Sequence, residues 1–121
     1  GWVVGDHGFE MSLSKQVPRL IAQNLRPFLE SWLAKHGLKR QDIGSWAIHP
    51  GGPRILEAVE ESLELPRSAT TAAREVFAAN GNMSSPTVLF IVDHLRRQQA
   101  PRPCVALGFG PGLVAEVALF R

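Results

Sequence analysis

Histidine and asparagine side chains stand in two short segments of this sequence that could act on a carbonyl group. His49 ends an apolar run and precedes the turn at residues 50–53, and Asn82 lies in the segment Gly-Asn-Met-Ser-Ser at residues 81–85. An imidazole can pair with a thiolate and donate to a thioester carbonyl, and a carboxamide can donate to an oxyanion without titrating. Taken alone, a histidine in such a place is more often a structural residue at the end of a strand, and an asparagine after glycine more often ends or caps a helix. Together they suggest two donors directed at one reacting oxygen.

The sequence offers no obvious nucleophile for such a pair. Its single cysteine, Cys104, lies within an apolar run, which indicates a buried, unreactive thiol. One cysteine excludes an internal disulfide and a cysteine-based zinc site, so we expect no metal. His7 and His94 each follow an aspartate, but adjacent side chains do not face each other on a helix or strand, and we assign neither a catalytic role.

The elements that must position these residues follow from hydrophobic periodicity. Alternation predicts a strand at 8–13, and helical spacing predicts a helix from Pro18 to Gly37, with a kink or break at Pro27. The remaining expected elements are a buried strand at 45–49, a helix from about 53 to Pro66, a helix at 68–79, a helix from Pro86 to about 97, and two antiparallel strands at 104–109 and 113–120.

Two helical surfaces carry specific expectations. The run at 88–92 is apolar on every side, which predicts a helix that is buried all round at the centre of the domain. The helix after residue 53 should expose four glutamates to water, because several carboxylates on one helix more often form a solvated face than an acid-base pair. These are Glu57, Glu60, Glu61 and Glu64.

Composition is that of one ordinary globular domain covering residues 1–121. Hydrophobic residues make up 45% and charged residues 20%, and the net charge is +2. The arginines are scattered, which gives little support for nucleic-acid binding. The longest apolar run is too short to cross a bilayer, and the cysteine usage favours a reducing, cytoplasmic setting.

Four motifs, in order, resemble the C-terminal half of type III polyketide synthases, the chalcone synthase-like branch of the thiolase superfamily. They are His-Pro-Gly-Gly-Pro at 49–53, Ala-Arg-Glu-Val at 73–76 leading to Gly-Asn-Met-Ser-Ser at 81–85, the apolar helix from Val88, and Gly-Phe-Gly-Pro-Gly-Leu at 108–113. The resemblance implies an α/β fold, the C-terminal half of a thiolase-like αβαβα sandwich with a mixed sheet covered by helices. It also implies that the N-terminal half, with the nucleophilic cysteine, is absent.

The same resemblance implies a chemistry. His49 and Asn82 would polarise the malonyl thioester, stabilise the enolate left by loss of carbon dioxide, and assist Claisen condensation with an acyl-CoA starter. Coenzyme A thioesters are then substrates, and no further cofactor is expected. The positions that would line the substrate site are Met11, Gly51, Gly52, Ser84, Phe109, Gly110 and Pro111. Trp2 aligns with a position where a bulky side chain would shorten the cavity.

Two other interpretations remain open from the sequence. The initiating ketoacyl-carrier-protein synthases also use cysteine, histidine and asparagine, but their histidine and asparagine motifs differ from those at 49–53 and 81–85. The second alternative is a non-catalytic assembly or binding module. On the polyketide synthase interpretation, the isolated chain should be catalytically inactive toward malonyl-CoA, and its uncovered apolar surface predicts a homodimer or higher oligomer.

Overall fold

A computed structural model describes residues 2–10, 17–49, 53–80, 86–109 and 114–121. Four strands form one sheet in the order β1-β4-β3-β2. The strands are β1 (Trp2–Glu10), β2 (Ser45–Ile48), β3 (Cys104–Phe109) and β4 (Val114–Phe120). The α-helices are α1 (Val17–Lys35), α2 (Pro53–Leu63), α3 (Thr71–Asn80) and α4 (Pro86–Arg97), with short 3-10 turns at Arg40–Asp42 and Arg67–Thr70.

The sheet is mixed, as predicted. β2 and β3 run parallel, whereas β3 and β4, and β1 and β4, are antiparallel. The antiparallel pairing expected for the strands before and after residue 110 is therefore confirmed, with Gly108 opposite Glu116. β1 begins earlier than the predicted strand at 8–13, because its pairing with β4 starts at Trp2 opposite Phe120.

Successive residues of the strands point to two separate cores, one on each side of the sheet. On one side, Trp46 and Ile48 join a cluster with buried leucines of α1 and α2. On the other side, Ala47 joins a cluster with residues of α3 and α4. The expectation of a sheet covered by helices is thus confirmed, with one pair of helices on each face.

Helix α1 continues through Pro27, so of the kink or break expected there, the break is wrong. Leu25 and Leu29, on either side of the proline, are both completely buried in the core, and this packing holds the two halves of the helix in register. The predicted end is confirmed at Gly37, which has a φ of 73°. A positive φ is the usual conformation of the residue that terminates a helix.

Helices α2 and α3 are joined by the 3-10 turn at Arg67–Thr70. Helix α2 ends at Leu63, before the predicted stop at Pro66. Ser68, the first residue of the helix predicted at 68–79, lies within the 3-10 turn instead, and α3 begins at Thr71. The turn packs against β2, an edge strand of the sheet, and carries the chain from one face to the other.

The expectation that α4 is buried all round is wrong for this chain. Ile91 is fully buried against the sheet, but Leu89 and Phe90 are 55% and 48% exposed. Helix α4 has the sheet and α3 on one side, and none of the described residues covers the opposite side.

No helix within the described ranges has the length and apolar character needed to cross a membrane.

Candidate active site

His49 lies directly beyond the carboxyl end of the parallel pair β2 and β3. Its backbone N–H donates to the carbonyl oxygen of Leu107 at 2.8 Å, which extends the parallel ladder one residue past Ile48. The residue is only 8% exposed. Ligands of open α/β folds collect at this end of parallel strands, so the fold places an imidazole where substrate chemistry is commonly found.

The first residues of the predicted glycine-rich loop lie beside this histidine. A Cβ atom built on Gly108 would stand 3.8 Å from the Cβ of His49, so the two backbones are close neighbours. Phe109, the last residue of β3, is half-buried and packs against the core on the α1 and α2 face. His49 and Phe109, two of the predicted site residues, therefore lie at the same end of the sheet.

The other predicted site residues lie outside the described ranges. They are Met11, Gly51, Gly52, Asn82, Ser84, Gly110 and Pro111. For Trp2 the structure gives the backbone pairing with Phe120. The elements around Asn82 are described: α3 ends at Asn80 and α4 begins at Pro86, both on the face of the sheet opposite to α2.

Cys104 lies at the other end of the parallel pair from His49, opposite Ser45 in the register. It is 7% exposed. Burial raises the pKa of its thiol, and a hydrogen bond with Ser45 and the charge of Arg102 offset only part of that effect. The prediction of a buried, unreactive thiol agrees with this position. A cleft of about 380 Å³ adjoins Cys104, between the C-terminal half of α4 and Phe120.

Glu60 is not on a solvated face, which corrects the sequence-based expectation for that residue. Its side chain is 14% exposed and bonded to Arg74, and Thr70 donates to the same carboxylate oxygen at 2.8 Å. A second unexpected pair joins α3 to α4, where Nε2 of His94 lies 2.6 Å from Oε2 of Glu75. Sequence patterns missed both pairs because each joins separate elements, and no local spacing indicates them.

Within the part of the chain that the structure describes, no group of three or more histidine, cysteine, aspartate or glutamate side chains could hold an ion. The candidate site is therefore an imidazole at a strand end, next to a glycine-containing backbone segment. Such an arrangement can donate hydrogen bonds to a carbonyl oxygen.

Comparison with known proteins shows the family. The profile of the chalcone and stilbene synthases, C-terminal domain, matches residues 3–121. The chain belongs to this family. The predicted resemblance to the C-terminal half of a type III polyketide synthase is thereby confirmed.

Individual chalcone and stilbene synthase relatives agree with this assignment. The chain is 39% identical to 1,3,6,8-tetrahydroxynaphthalene synthase from Streptomyces peucetius subsp. caesius, across 100% of the chain and 33% of that protein. It is 34% identical to a putative chalcone synthase of Bacillus subtilis strain 168, over 99% of the chain and 34% of the relative. It is 37% identical to curcumin synthase 1 of Curcuma longa, over 98% of the chain and 34% of the relative.

A solved structure gives the same result for the fold. The crystal structure of PKS-I from the brown alga Ectocarpus siliculosus superposes with a TM-score of 0.81 at 34% identity, covering 88% of this chain and 31% of that one. This chain thus spans about a third of the length of the relatives that it matches.

Proposed function

We propose that this chain is the C-terminal part of a type III polyketide synthase that joins an acyl-CoA starter to malonyl-CoA by decarboxylative Claisen condensation. The observation that carries the proposal is the position of His49. It is a nearly buried imidazole at the carboxyl end of a parallel strand pair, beside Gly108, in a chain that belongs to the chalcone and stilbene synthase family.

In the proposed reaction, His49 and Asn82 donate hydrogen bonds to the thioester carbonyl of malonyl-CoA. The bond to the carboxylate carbon breaks, carbon dioxide leaves, and the electron pair becomes an enolate whose negative oxygen faces both donors. The enolate carbon then attacks the acyl thioester held on a cysteine, and the cysteine thiolate leaves. Donors placed where charge develops are among the largest contributions to catalysis.

The substrate cavity in this proposal is lined by backbone and small side chains near His49. Gly51 and Gly52 come shortly after the histidine in the sequence, Phe109 ends β3, and Gly110 and Pro111 come next in the sequence. Glycines allow the backbone to approach a substrate closely. Met11 and Ser84 complete the proposed lining, and coenzyme A thioesters are the substrates, without a further cofactor.

The nucleophilic cysteine is proposed to come from a preceding part of a longer protein. Cys104 is a poor candidate, because it lies at the opposite end of the parallel strands from His49 and burial raises the pKa of its thiol. Without a thiolate there is no covalent acyl carrier. The 121-residue chain alone should therefore be inactive.

The test is product formation by the longer protein. Supplied with an acyl-CoA starter and malonyl-CoA, it should release carbon dioxide and an extended polyketide detectable by mass spectrometry, and the 121-residue chain should yield neither. Product from the short chain alone would refute the proposal. Activity only with malonyl groups carried by an acyl-carrier protein would favour the initiating ketoacyl synthase instead, and binding of the thioesters without turnover would favour a non-catalytic module.

A further inference from the structure

A row of three residues crosses the sheet at the level of His49. The parallel register of β2 and β3, continued by one residue, places His49 beside Gly108. The antiparallel register of β3 and β4 places Gly108 opposite Glu116. Alternate residues of a strand share a face, and the residues two positions away on the three strands belong to the core beneath α3 and α4. These are Ala47, Ala106 and Ala118. The row therefore lies on the α3 and α4 face.

The middle of this row carries no side chain. Among the described residues, a Cβ built on Gly108 would meet only the Cβ of His49 within 4 Å, at 3.8 Å. Adjacent strands lie about 5 Å apart, so His49 and Glu116 are separated by about 10 Å of sheet. His49 is nearly buried at one end of the row, whereas Glu116 is exposed at the other. The row is thus an open path from an imidazole to a carboxylate.

Glu116 offers a strong hydrogen-bond acceptor at the far end of this path. Its cross-strand neighbours are Gly108 on β3 and His7 on β1. An ionised carboxylate accepts about four hydrogen bonds, so a contact within the protein leaves acceptor sites for a ligand. A hydroxyl group can donate to such a site. An apolar group that approaches it displaces water from the carboxylate and supplies no hydrogen bond in return.

We propose that Glu116 is a specificity-determining residue that accepts a hydrogen bond from a hydroxyl or enol group on the acyl chain of the substrate. This inference rests on the proposed function, because it takes the thioester carbonyl to lie at His49. From there the acyl chain crosses Gly108, and its far end reaches the carboxylate. An extended six-carbon chain spans roughly the two strand spacings involved. Acyl groups with a hydroxyl at the far end should therefore bind better than their deoxy counterparts.

The experiment measures the affinity of the longer protein for two unreactive substrate analogues by calorimetry. They are the ketone analogues of hexanoyl-CoA and 6-hydroxyhexanoyl-CoA, in which a methylene group replaces the thioester sulfur so that no acyl transfer occurs. The hydroxylated analogue should bind about tenfold more tightly, which is the effect of one hydrogen bond to a charged acceptor. Equal results for the two analogues in the unmodified protein, whether both bind or neither does, would overturn the proposal.

Variants at Glu116 assign the preference to its carboxylate. Glu116→Leu should abolish the preference, mainly by weakening the hydroxylated analogue. Glu116→Gln keeps one acceptor oxygen without the charge, so it should give an intermediate preference, and it replaces Glu116→Leu if that variant does not fold. Glu61→Gln is the control, because it removes a negative charge from an exposed position on α2, on the other face of the sheet. A preference that persists in the Glu116 variants would overturn the assignment.

A variant of Gly108 tests the path between the two ends of the row. Valine suits a strand, and its side chain would occupy the space beside His49. Gly108→Val should weaken both six-carbon analogues more than the ketone analogue of acetyl-CoA, because only the longer chains cross residue 108. An equal loss of affinity for short and long analogues would show that the acyl chain does not take this path, and would overturn the proposal.

Failure of this inference is distinguishable from failure of the proposed function. The longer protein could show the hydroxyl preference, and lose it in Glu116→Leu, but make no polyketide from an acyl-CoA starter and malonyl-CoA. The proposed function then fails and the acceptor site at Glu116 stands. If the longer protein makes polyketide but binds the two six-carbon analogues equally, the proposed function stands and the role of Glu116 fails.

Discussion

At the scale of single residues, His49 and Cys104 occupy opposite ends of the same pair of parallel strands. The sequence predicts a histidine at the end of a buried strand and a cysteine in an apolar one, and the structure agrees with both. Nothing local in the sequence indicates that β2 pairs with β3, although this pairing places His49 beside Gly108. That neighbourhood arises from a contact between residues that are far apart in the chain.

Cys104 should resist alkylation in the folded chain. Because burial raises the pKa of its thiol, less of it is thiolate at neutral pH. Iodoacetamide at neutral pH, followed by intact-mass measurement, should label it only slowly, with rapid labelling after unfolding by urea. Labelling of the native chain at the rate of a free thiol would contradict this.

The same shift gives Cys104 a role in pH-dependent stability. The pKa of the Cys104 thiol is higher in the folded chain than in the unfolded chain. The contribution of this thiol to the free energy of unfolding is therefore fully present below about pH 8.5 and is lost as the pH rises through the folded pKa. A Cys104→Ala variant should show a smaller decrease in the free energy of unfolding on going to alkaline pH. Urea titrations at a series of pH values provide the measurement.

At the scale of elements, the sequence predicts where the helices end better than it predicts what they pack against. The stop of α1 at Gly37 and the end of α2 before Pro66 follow from backbone preferences that a single residue imposes. The break expected at Pro27 is absent because buried leucines on both sides hold the helix together. The Glu60 to Arg74 pair was not predictable, since it depends on two helices meeting at a sheet edge.

Pro27 should cost stability in α1, because it lacks the N–H that a helix interior requires. Its side chain is exposed, so replacement by alanine removes little packing. We expect Pro27→Ala to raise the free energy of unfolding by about 2 kcal/mol, the helix propensity gain being partly offset by the greater freedom of the unfolded chain. Urea denaturation measures this change, and a lower midpoint would show that the proline conformation suits the helix.

At the scale of the whole molecule, one face of α4 lacks a covering layer among the described residues. Leu89 and Phe90 are about half exposed, and Leu89 lines a cleft that reaches Val92 and Phe120. The sequence predicts an apolar helix but not which of its sides is uncovered, because no local pattern shows which side packs on the sheet and on α3. A chain that spans a third of its relatives is expected to leave such a surface.

The isolated chain should therefore self-associate through α4. At micromolar concentration, sedimentation velocity should show a homodimer or larger species, because exposed apolar patches of this kind are rarely tolerated by monomers. Phe90→Glu should shift the population toward monomer, whereas Ala22→Glu, which adds the same charge to the exposed side of α1, should not. A stable monomer for the unmodified chain would contradict the prediction.

The central claim is that His49 and Asn82 are the two donors to the malonyl thioester, and the rate of malonyl-CoA decarboxylation by the longer protein tests it most directly. His49→Gln and Asn82→Asp should each lower this rate on the order of 10² to 10³, the usual cost of losing one oxyanion donor. Cys104→Ser, at the opposite end of the parallel strands, should leave the rate unchanged. Unchanged turnover in both the His49 and Asn82 variants would contradict the account.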